Sequence, residues 1–172
     1  MARRYELGVI PTTEQLATYP QVRAIRDHVL RHGGDDINAP LEWIENPEPR
    51  WYWSSLMDPL LTRGIRMIPS THRVVEEPML AKRNNQSQCH KNATTLFLRK
   101  QVNAFATGFA LYEDGIWYHH SWGIRSRCCE EIVVETIGEE FESYFGVPYY
   151  GAEGVATARV LYNNVSDNFW PE

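Results

Sequence analysis

A hairpin turn at Asp114-Gly115 constrains the fold more than any other feature of this 172-residue sequence. Asp-Gly readily adopts the positive φ angles that a tight connection between antiparallel strands requires. The run 102–112 before this turn is rich in strand-forming residues, and the run 116–124 after it alternates between two faces. The sequence therefore predicts two antiparallel strands joined by Glu113-Asp114-Gly115.

A third strand and two flanking helices complete the predicted core. A turn at Ser126-Arg127 leads into a strand over 132–136. Upstream, Ser87 is a favourable N-cap for a helix whose apolar residues recur at helical spacing: Cys89, Ala93, Leu96 and Phe97. Downstream, a short helix is predicted from about 138 to Phe145, ending at Gly146. This order predicts an α+β fold in which the cysteine-bearing helix packs on an antiparallel sheet.

The first 85 residues differ from the rest because they are rich in proline and charge. Short helices are predicted from Thr13 to Tyr19, from Pro20 to Gly33-Gly34, and from Ser54 or Ser55 to Leu61 with Gly64 closing the helix. We expect 1–172 to be a single domain in which 1–85, a mostly helical and loop extension, covers a core at 86–146. Residues 147–172 are interpreted as a C-terminal segment of packing residues and a frayed end.

Charge and hydropathy argue against two classes of partner. The formal net charge is −5 and the isoelectric point is near 5.7, whereas non-specific nucleic-acid binding needs a dominant positive field. No stretch approaches the ~20 apolar residues of a membrane span, and the N-terminal residues lack the apolar run of a signal peptide. We therefore expect a cytoplasmic protein that binds neither nucleic acid nor membrane, with its three cysteines reduced.

Cys89, His120 and Glu135 are the candidate catalytic residues. A cysteine in the first turn of a helix meets free backbone N–H groups and the positive end of the helix dipole, which favour the thiolate and can bind an oxyanion. His120 lies on the middle strand of the predicted meander, and Glu135 lies on the next strand, where its carboxylate can accept the second N–H of the imidazole. This arrangement follows the logic of a nucleophile–base–acid triad.

Four short segments, in order, resemble the transglutaminase-like, papain-related superfamily: Gln88-Cys89-His90-Lys91-Asn92-Ala93, Thr107-Gly108-Phe109-Ala110, His120-Ser121-Trp122 and Val133-Val134-Glu135-Thr136. The resemblance covers about 86–146 and implies a papain- or transglutaminase-like core with Cys89, His120 and Glu135 as the triad. It also implies thiol-dependent acyl transfer on an amide or ester: hydrolase, peptidase or transglutaminase-type amide exchange. The acid departs from the pattern, because Glu135 stands where the family usually has Asp.

The residues that would bind the oxyanion and the substrate are less narrowly defined. By analogy with the side chain that papain-like enzymes place before the cysteine, Gln86 and Gln88 are candidates, and Asn84 and Asn85 are open alternatives. Trp122 is expected to pack beside the imidazole of His120. The expected partner is a peptide, a protein or a small amide; neither a cofactor nor a metal is expected.

Three other interpretations remain open. Cys89 can be an ordinary buried thiol in a non-catalytic interaction domain that retains the fold. Cys128, Cys129 and a histidine could bind zinc, although their spacing matches no usual ligand pattern. The third hypothesis is a metal-dependent hydrolase that uses histidines. His119 and His90 are expected to point away from the triad, because neighbours on a strand face opposite sides.

Overall fold

The computed structural model describes residues 20–32, 58–67, 74–75, 89–128, 130–137 and 140–168. Four helices lie in these ranges: α1 (Pro20–His32), α2 (Asp58–Arg63), α3 (Cys89–Leu98) and α4 (Gly151–Asn168). Six strands accompany them: β1 (Ile65–Met67), β2 (Val74–Val75), β3 (Ala104–Tyr112), β4 (Trp117–Arg127), β5 (Glu130–Glu135) and β6 (Phe141–Tyr150). The helix predicted over 13–19 lies outside the described residues.

The strands form one sheet in the order β1-β6-β3-β4-β5-β2. β1 is antiparallel to β6 and β4 is antiparallel to β5, whereas the two-residue strand β2 is parallel to β5. Helices and a mainly antiparallel sheet make this an α+β fold, as predicted. No helix in the described ranges is both long enough and apolar enough to cross a membrane.

The chain divides into two compact units, each built from three segments. Unit 1 comprises Met1–Ile68, Gly108–His119 and Phe141–Val147, and unit 2 comprises Pro69–Thr107, His120–Glu140 and Pro148–Glu172. This division does not test the predicted boundaries of the core, at 85/86 and 146/147, which stay predictions.

In unit 1, the helix predicted to start at Pro20 is confirmed as α1. Ile25, Val29 and Leu30 recur at helical spacing along it, and all three are buried. The next helix, α2, ends as predicted at Gly64, whose N–H donates to the carbonyl of Leu60 at 3.1 Å. Residues 54–57, where this helix was expected to begin, lie outside the described part of the chain.

The Asp114-Gly115 hairpin is confirmed, with a positive φ at Gly115 but not at Asp114. Gly115 has φ 79°, the left-handed conformation for which glycine is favoured, and its N–H donates to the carbonyl of Tyr112 at 2.9 Å. The Asp114 carboxylate accepts from the N–H of Ile116 at 2.9 Å and from the hydroxyl of Tyr118 at 2.7 Å. Asp114 therefore fixes the start of β4 as well as the turn.

In unit 2, aromatic contacts link α3 to β3 and β3 to β6. Phe105 on β3 lies between Phe97 of α3 and Tyr149 of β6, with ring centroids 5.4 Å away in each case. α3 and α4 pack against each other, and a β-carbon added to Gly154 would come within 2.7 Å of the Phe97 ring. The small residue at 154 is what allows this close helix–helix approach.

The turn predicted at Ser126-Arg127 is wrong by two residues. β4 continues to Arg127, which pairs with Glu130, and Ser126 pairs with Glu131. Cys128 then turns the chain with φ 54°. A left-handed conformation is uncommon for cysteine, so the residue types at the turn did not indicate its position.

The helix predicted from about 138 to 145 is also wrong, because Phe141–Tyr150 form the strand β6. Phe141, Tyr144 and Phe145 have a helix-like spacing, but aromatic residues also favour strands. Both faces of β6 are buried over 143–147, so the alternation that would have revealed a strand is hidden. Gly146, expected to end the helix, instead pairs with Ile65 of β1.

Three elements were not predicted at all. The C-terminal segment contains the long helix α4, whose buried positions Gly154, Ala158 and Leu161 are mostly small and carry a weak apolar signal. Within the expected helical and loop extension, β1 and β2 are only three and two residues long. Strands this short depend on their partners β6 and β5 rather than on local sequence.

Candidate active site

Cys89 is the first residue of α3, as the helical spacing predicted. Its side chain is only 3% exposed. The first N–H groups of a helix have no partner within the helix, and they carry the positive end of its dipole. The predicted N-cap Ser87 lies outside the described residues, so the environment of the thiol is built here from α3, β4 and β5.

His120 and Glu135 come together on neighbouring strands. Nε2 of His120 lies 3.0 Å from each carboxylate oxygen of Glu135, and both side chains are buried, at 1% and 0% exposed. β4 and β5 pair as far as Gly123 and Val134, so Glu135 is the next residue along β5. The register of this strand pair brings the acid to the base.

The thiol of Cys89 completes the cluster, because it is a hydrogen-bond partner of the same imidazole. Since Glu135 engages Nε2, Nδ1 is the ring nitrogen that remains for the thiol. All three residues belong to unit 2. The structure thus brings together the three predicted catalytic side chains in the order thiol, imidazole, carboxylate.

The electrostatics of this cluster favour the charged form of His120. Burial by itself lowers the pKa of the imidazole, but the negative charges of Glu135 and Cys89, with hydrogen bonds to both, raise it from 6.5 to about 9. The effects of the Glu135 carboxylate and the Cys89 sulfur therefore outweigh desolvation. Together they favour the imidazolium form of the ring over its neutral form.

Further polar contacts fix the end of β5 and join it to the first turn of α3. The backbone N–H of Thr136 donates to Oε1 of Glu135 at 2.8 Å, which helps to fix the carboxylate. The amide of Asn92 donates to the carbonyl of Thr136 at 3.3 Å. The hydroxyl of Thr136 is buried and has no hydrogen-bond partner among the residues that the structure describes. Asn92 and Thr136 belong to the segments that carry the family resemblance, but the sequence had assigned them no role.

Sequence reasoning also missed a second buried histidine beside the thiol. Nδ1 of His90 lies 2.5 Å from the hydroxyl of Ser121, and both side chains are buried. His90 was expected to point away from the triad, but no partner was predicted for it. The available signal was adjacency: Cys89 and His90 are neighbours on the helix, and their partners His120 and Ser121 are neighbours on the strand.

The remaining predicted residues have different outcomes. The ring of Trp122 stacks on His120 with centroids 6.1 Å apart and an interplanar angle of 21°, as expected. His119 lies against Phe109 in unit 1, with centroids 5.6 Å apart. The oxyanion candidates all lie outside the described residues: Asn84, Asn85, Gln86 and Gln88.

The described side chains contain no group of three or more His, Cys, Asp or Glu residues able to hold a metal ion. Cys128 is an exposed free thiol, and its neighbour Cys129 lies outside the described part. The chain matches no family model, and no curated protein or solved structure is significantly similar to it.

Proposed function

We propose that this protein is a thiol-dependent acyl-transfer enzyme that acts on an amide or ester carbonyl through Cys89, His120 and Glu135. The observation that carries the proposal is the buried imidazole of His120, which interacts with the Cys89 thiol and lies 3.0 Å from both oxygens of Glu135. An imidazolium between a thiolate and a carboxylate is the arrangement that nucleophilic thiol catalysis requires. A transglutaminase-like core is part of this proposal, supported by the same order of nucleophile helix, base strand and acid strand.

In the proposed reaction, the Cys89 thiolate attacks the carbonyl carbon, and the carbonyl electrons move onto oxygen. The tetrahedral intermediate collapses, the imidazolium of His120 gives its proton to the departing amine or alcohol, and a thioester remains on Cys89. The neutral imidazole then takes a proton from water or an amine, which attacks the thioester and releases the thiolate. Glu135 stays ionised throughout and orients the ring. Water as acceptor makes the enzyme a hydrolase or peptidase, and an amine makes it an amide-exchange enzyme.

One observation favours a second candidate function, a non-catalytic interaction domain. The thiol is only 3% exposed, and a substrate carbonyl must reach Sγ for the proposed reaction. A domain that retained this cluster for stability would keep it buried and would leave the thiol unreactive. In either case we propose a cytoplasmic protein without a cofactor, whose partner is a peptide, a protein or a small amide.

The two candidates differ in the pH dependence of Cys89 alkylation. We would measure the rate with iodoacetamide, a small reagent, between pH 5 and 10 in wild type and in His120→Ala, each in a Cys128→Ser/Cys129→Ser background. Burial scales the rate at every pH, whereas the midpoint of the profile reports the protonation of the thiol. The midpoint is therefore the diagnostic quantity, and circular dichroism controls for folding.

Catalysis predicts a midpoint well below the ordinary thiol value of ~8.5, and a rise toward that value in His120→Ala. A wild-type midpoint near 8.5 that ignores His120 would rule out the thiolate–imidazolium pair and leave the interaction domain. With the first result, a library of peptide amides and esters would identify the acyl donor, and added amines would separate transfer from hydrolysis.

A further inference from the structure

The start of α3 is tied to β4 by two neighbouring polar contacts, of which the triad uses only one. Cys89 interacts with His120, and His90 places its Nδ1 2.5 Å from the hydroxyl of Ser121. The four residues form two consecutive pairs, and all four side chains are buried within unit 2. The second pair therefore sits directly beside the first.

Burial makes the His90–Ser121 contact restrictive. A buried polar group without its partner costs about 1–3 kcal/mol, and an imidazole–hydroxyl bond is favourable only over a narrow range of distance and angle. Sliding or rotating the first turn of α3 relative to β4 breaks this bond. The pair thus holds one register between the helix start and the strand.

The first turn of α3 needs such an anchor because helix ends fray, and its leading N–H groups have no partner within the helix. The hydroxyls of Thr94 and Thr95 also bond back to the carbonyls of His90 at 2.8 Å and Lys91 at 2.6 Å, a pattern that tends to bend helices. Asn92 adds a second tie, to the carbonyl of Thr136. The position of the thiol therefore depends on these side-chain hydrogen bonds to the neighbouring strands as well as on the helix itself.

We propose that His90 is a positioning residue for the thiol chemistry: its hydrogen bond to Ser121 holds the first turn of α3 so that the Cys89 thiol stays in contact with His120. This inference rests on the proposed function and deepens it. In this proposal His90 takes no direct part in the chemistry. It acts through the placement of Cys89.

Four variants test the proposal, each in the Cys128→Ser/Cys129→Ser background. His90→Phe keeps the ring outline but removes both nitrogens, and Ser121→Ala removes one oxygen. His90→Asn keeps a polar atom at the position of Nδ1 and serves as the conservative rescue. Leu96→Ala is the control, because Leu96 is a buried residue of the same helix outside both polar pairs, so it lowers stability without touching the register.

The readout is the midpoint of the iodoacetamide profile, taken well below the unfolding temperature of each variant. We expect His90→Phe and Ser121→Ala to raise this midpoint by about one pH unit, which slows alkylation roughly tenfold at pH values below the wild-type midpoint, and to raise it no further when combined. His90→Asn should keep the midpoint near that of wild type. Leu96→Ala should lower the unfolding temperature and leave the midpoint unchanged.

The proposal is overturned if His90→Phe and Ser121→Ala lower the unfolding temperature but keep the wild-type midpoint, since the pair then serves stability alone. That result leaves the proposed function intact. A wild-type midpoint already near 8.5 removes the proposed function, and the positioning role with it. Should His90→Phe fail to fold, Ser121→Ala decides the question, because it deletes a single atom.

Discussion

Replacing Glu135 by Gln tests most directly whether the carboxylate is what charges His120. The substitution keeps the size of the side chain and removes the negative charge 3.0 Å from Nε2. Both anionic partners together raise the pKa of His120 from 6.5 to about 9 against the opposing effect of burial. This rise is on the order of a 300-fold gain in the ratio of imidazolium to imidazole at a given pH.

The charge of Glu135 is the largest of the effects that raise this pKa, and the carboxylate also supplies a hydrogen bond. We therefore expect Glu135→Gln to lower the ratio of imidazolium to imidazole by on the order of 10- to 100-fold. Because the imidazolium stabilises the thiolate, the ratio of ion pair to neutral pair should fall as well. Alkylation of Cys89 should slow most at pH values below the wild-type midpoint, and by less than this factor wherever the ion pair remains the major form.

The direct assay is an NMR titration of the His120 ring, with the alkylation profile as the chemical readout. Glu135→Asp keeps the charge on a shorter side chain and should retain most of the raised pKa. Glu130→Gln is a matched control, since Glu130 is an exposed residue of the same strand. If His120 in Glu135→Gln titrates as in wild type, the assignment of its charge to this carboxylate is incorrect.

Three further predictions concern packing and turns, each checked by urea or thermal unfolding. Gly108→Ala should cost ~3 kcal/mol or more, because the new β-carbon would collide with the backbone carbonyl of Phe145; a loss below 1 kcal/mol would mean that β3 and β6 are not packed as described. Gly115→Ala should cost only about 1–2 kcal/mol, since the position is open but has φ 79°, and a loss equal to that of Gly108→Ala would contradict this contrast. Trp122→Leu should lower the free energy of unfolding by about 2–4 kcal/mol and remove the aromatic ring that stacks on His120. Trp122→Phe should retain most of the stability and most of the ring contact. Equal losses of stability in the two variants would show that the ring contact is unimportant.

The parts of the fold that were predictable are those in which local signals agree. At the hairpin, the Asp-Gly pair and the flanking strand-forming runs point to the same conformation, and Asp114 contributes its own hydrogen bonds to the turn. α1 has an apolar face at helical spacing and a proline at its first position. Such elements are encoded within a dozen residues, so they can be read without knowledge of the rest of the chain.

The errors fall where the environment overrides the local pattern. β6 has aromatic residues at a spacing that suits a helix, but its pairing with β1 and its burial on both faces make it a strand. α4 lacks a strong apolar stripe because its close approach to α3 requires small residues such as Gly154. In both cases the decisive contacts involve residues that are distant in sequence.

The candidate site divides in the same way. By itself, the sequence determined the residue types and their order: a cysteine at a helix start, a histidine on a strand and a carboxylate on the next strand. Only the tertiary structure decided that Glu135 contacts Nε2 of His120 and that His90 contacts Ser121. It also decided that the effects of Glu135 and Cys89 outweigh burial, so that the pKa of His120 rises. The physical reason is that distances between side chains and the loss of solvent around them arise from the packing of α3 on its strands, which no local pattern specifies.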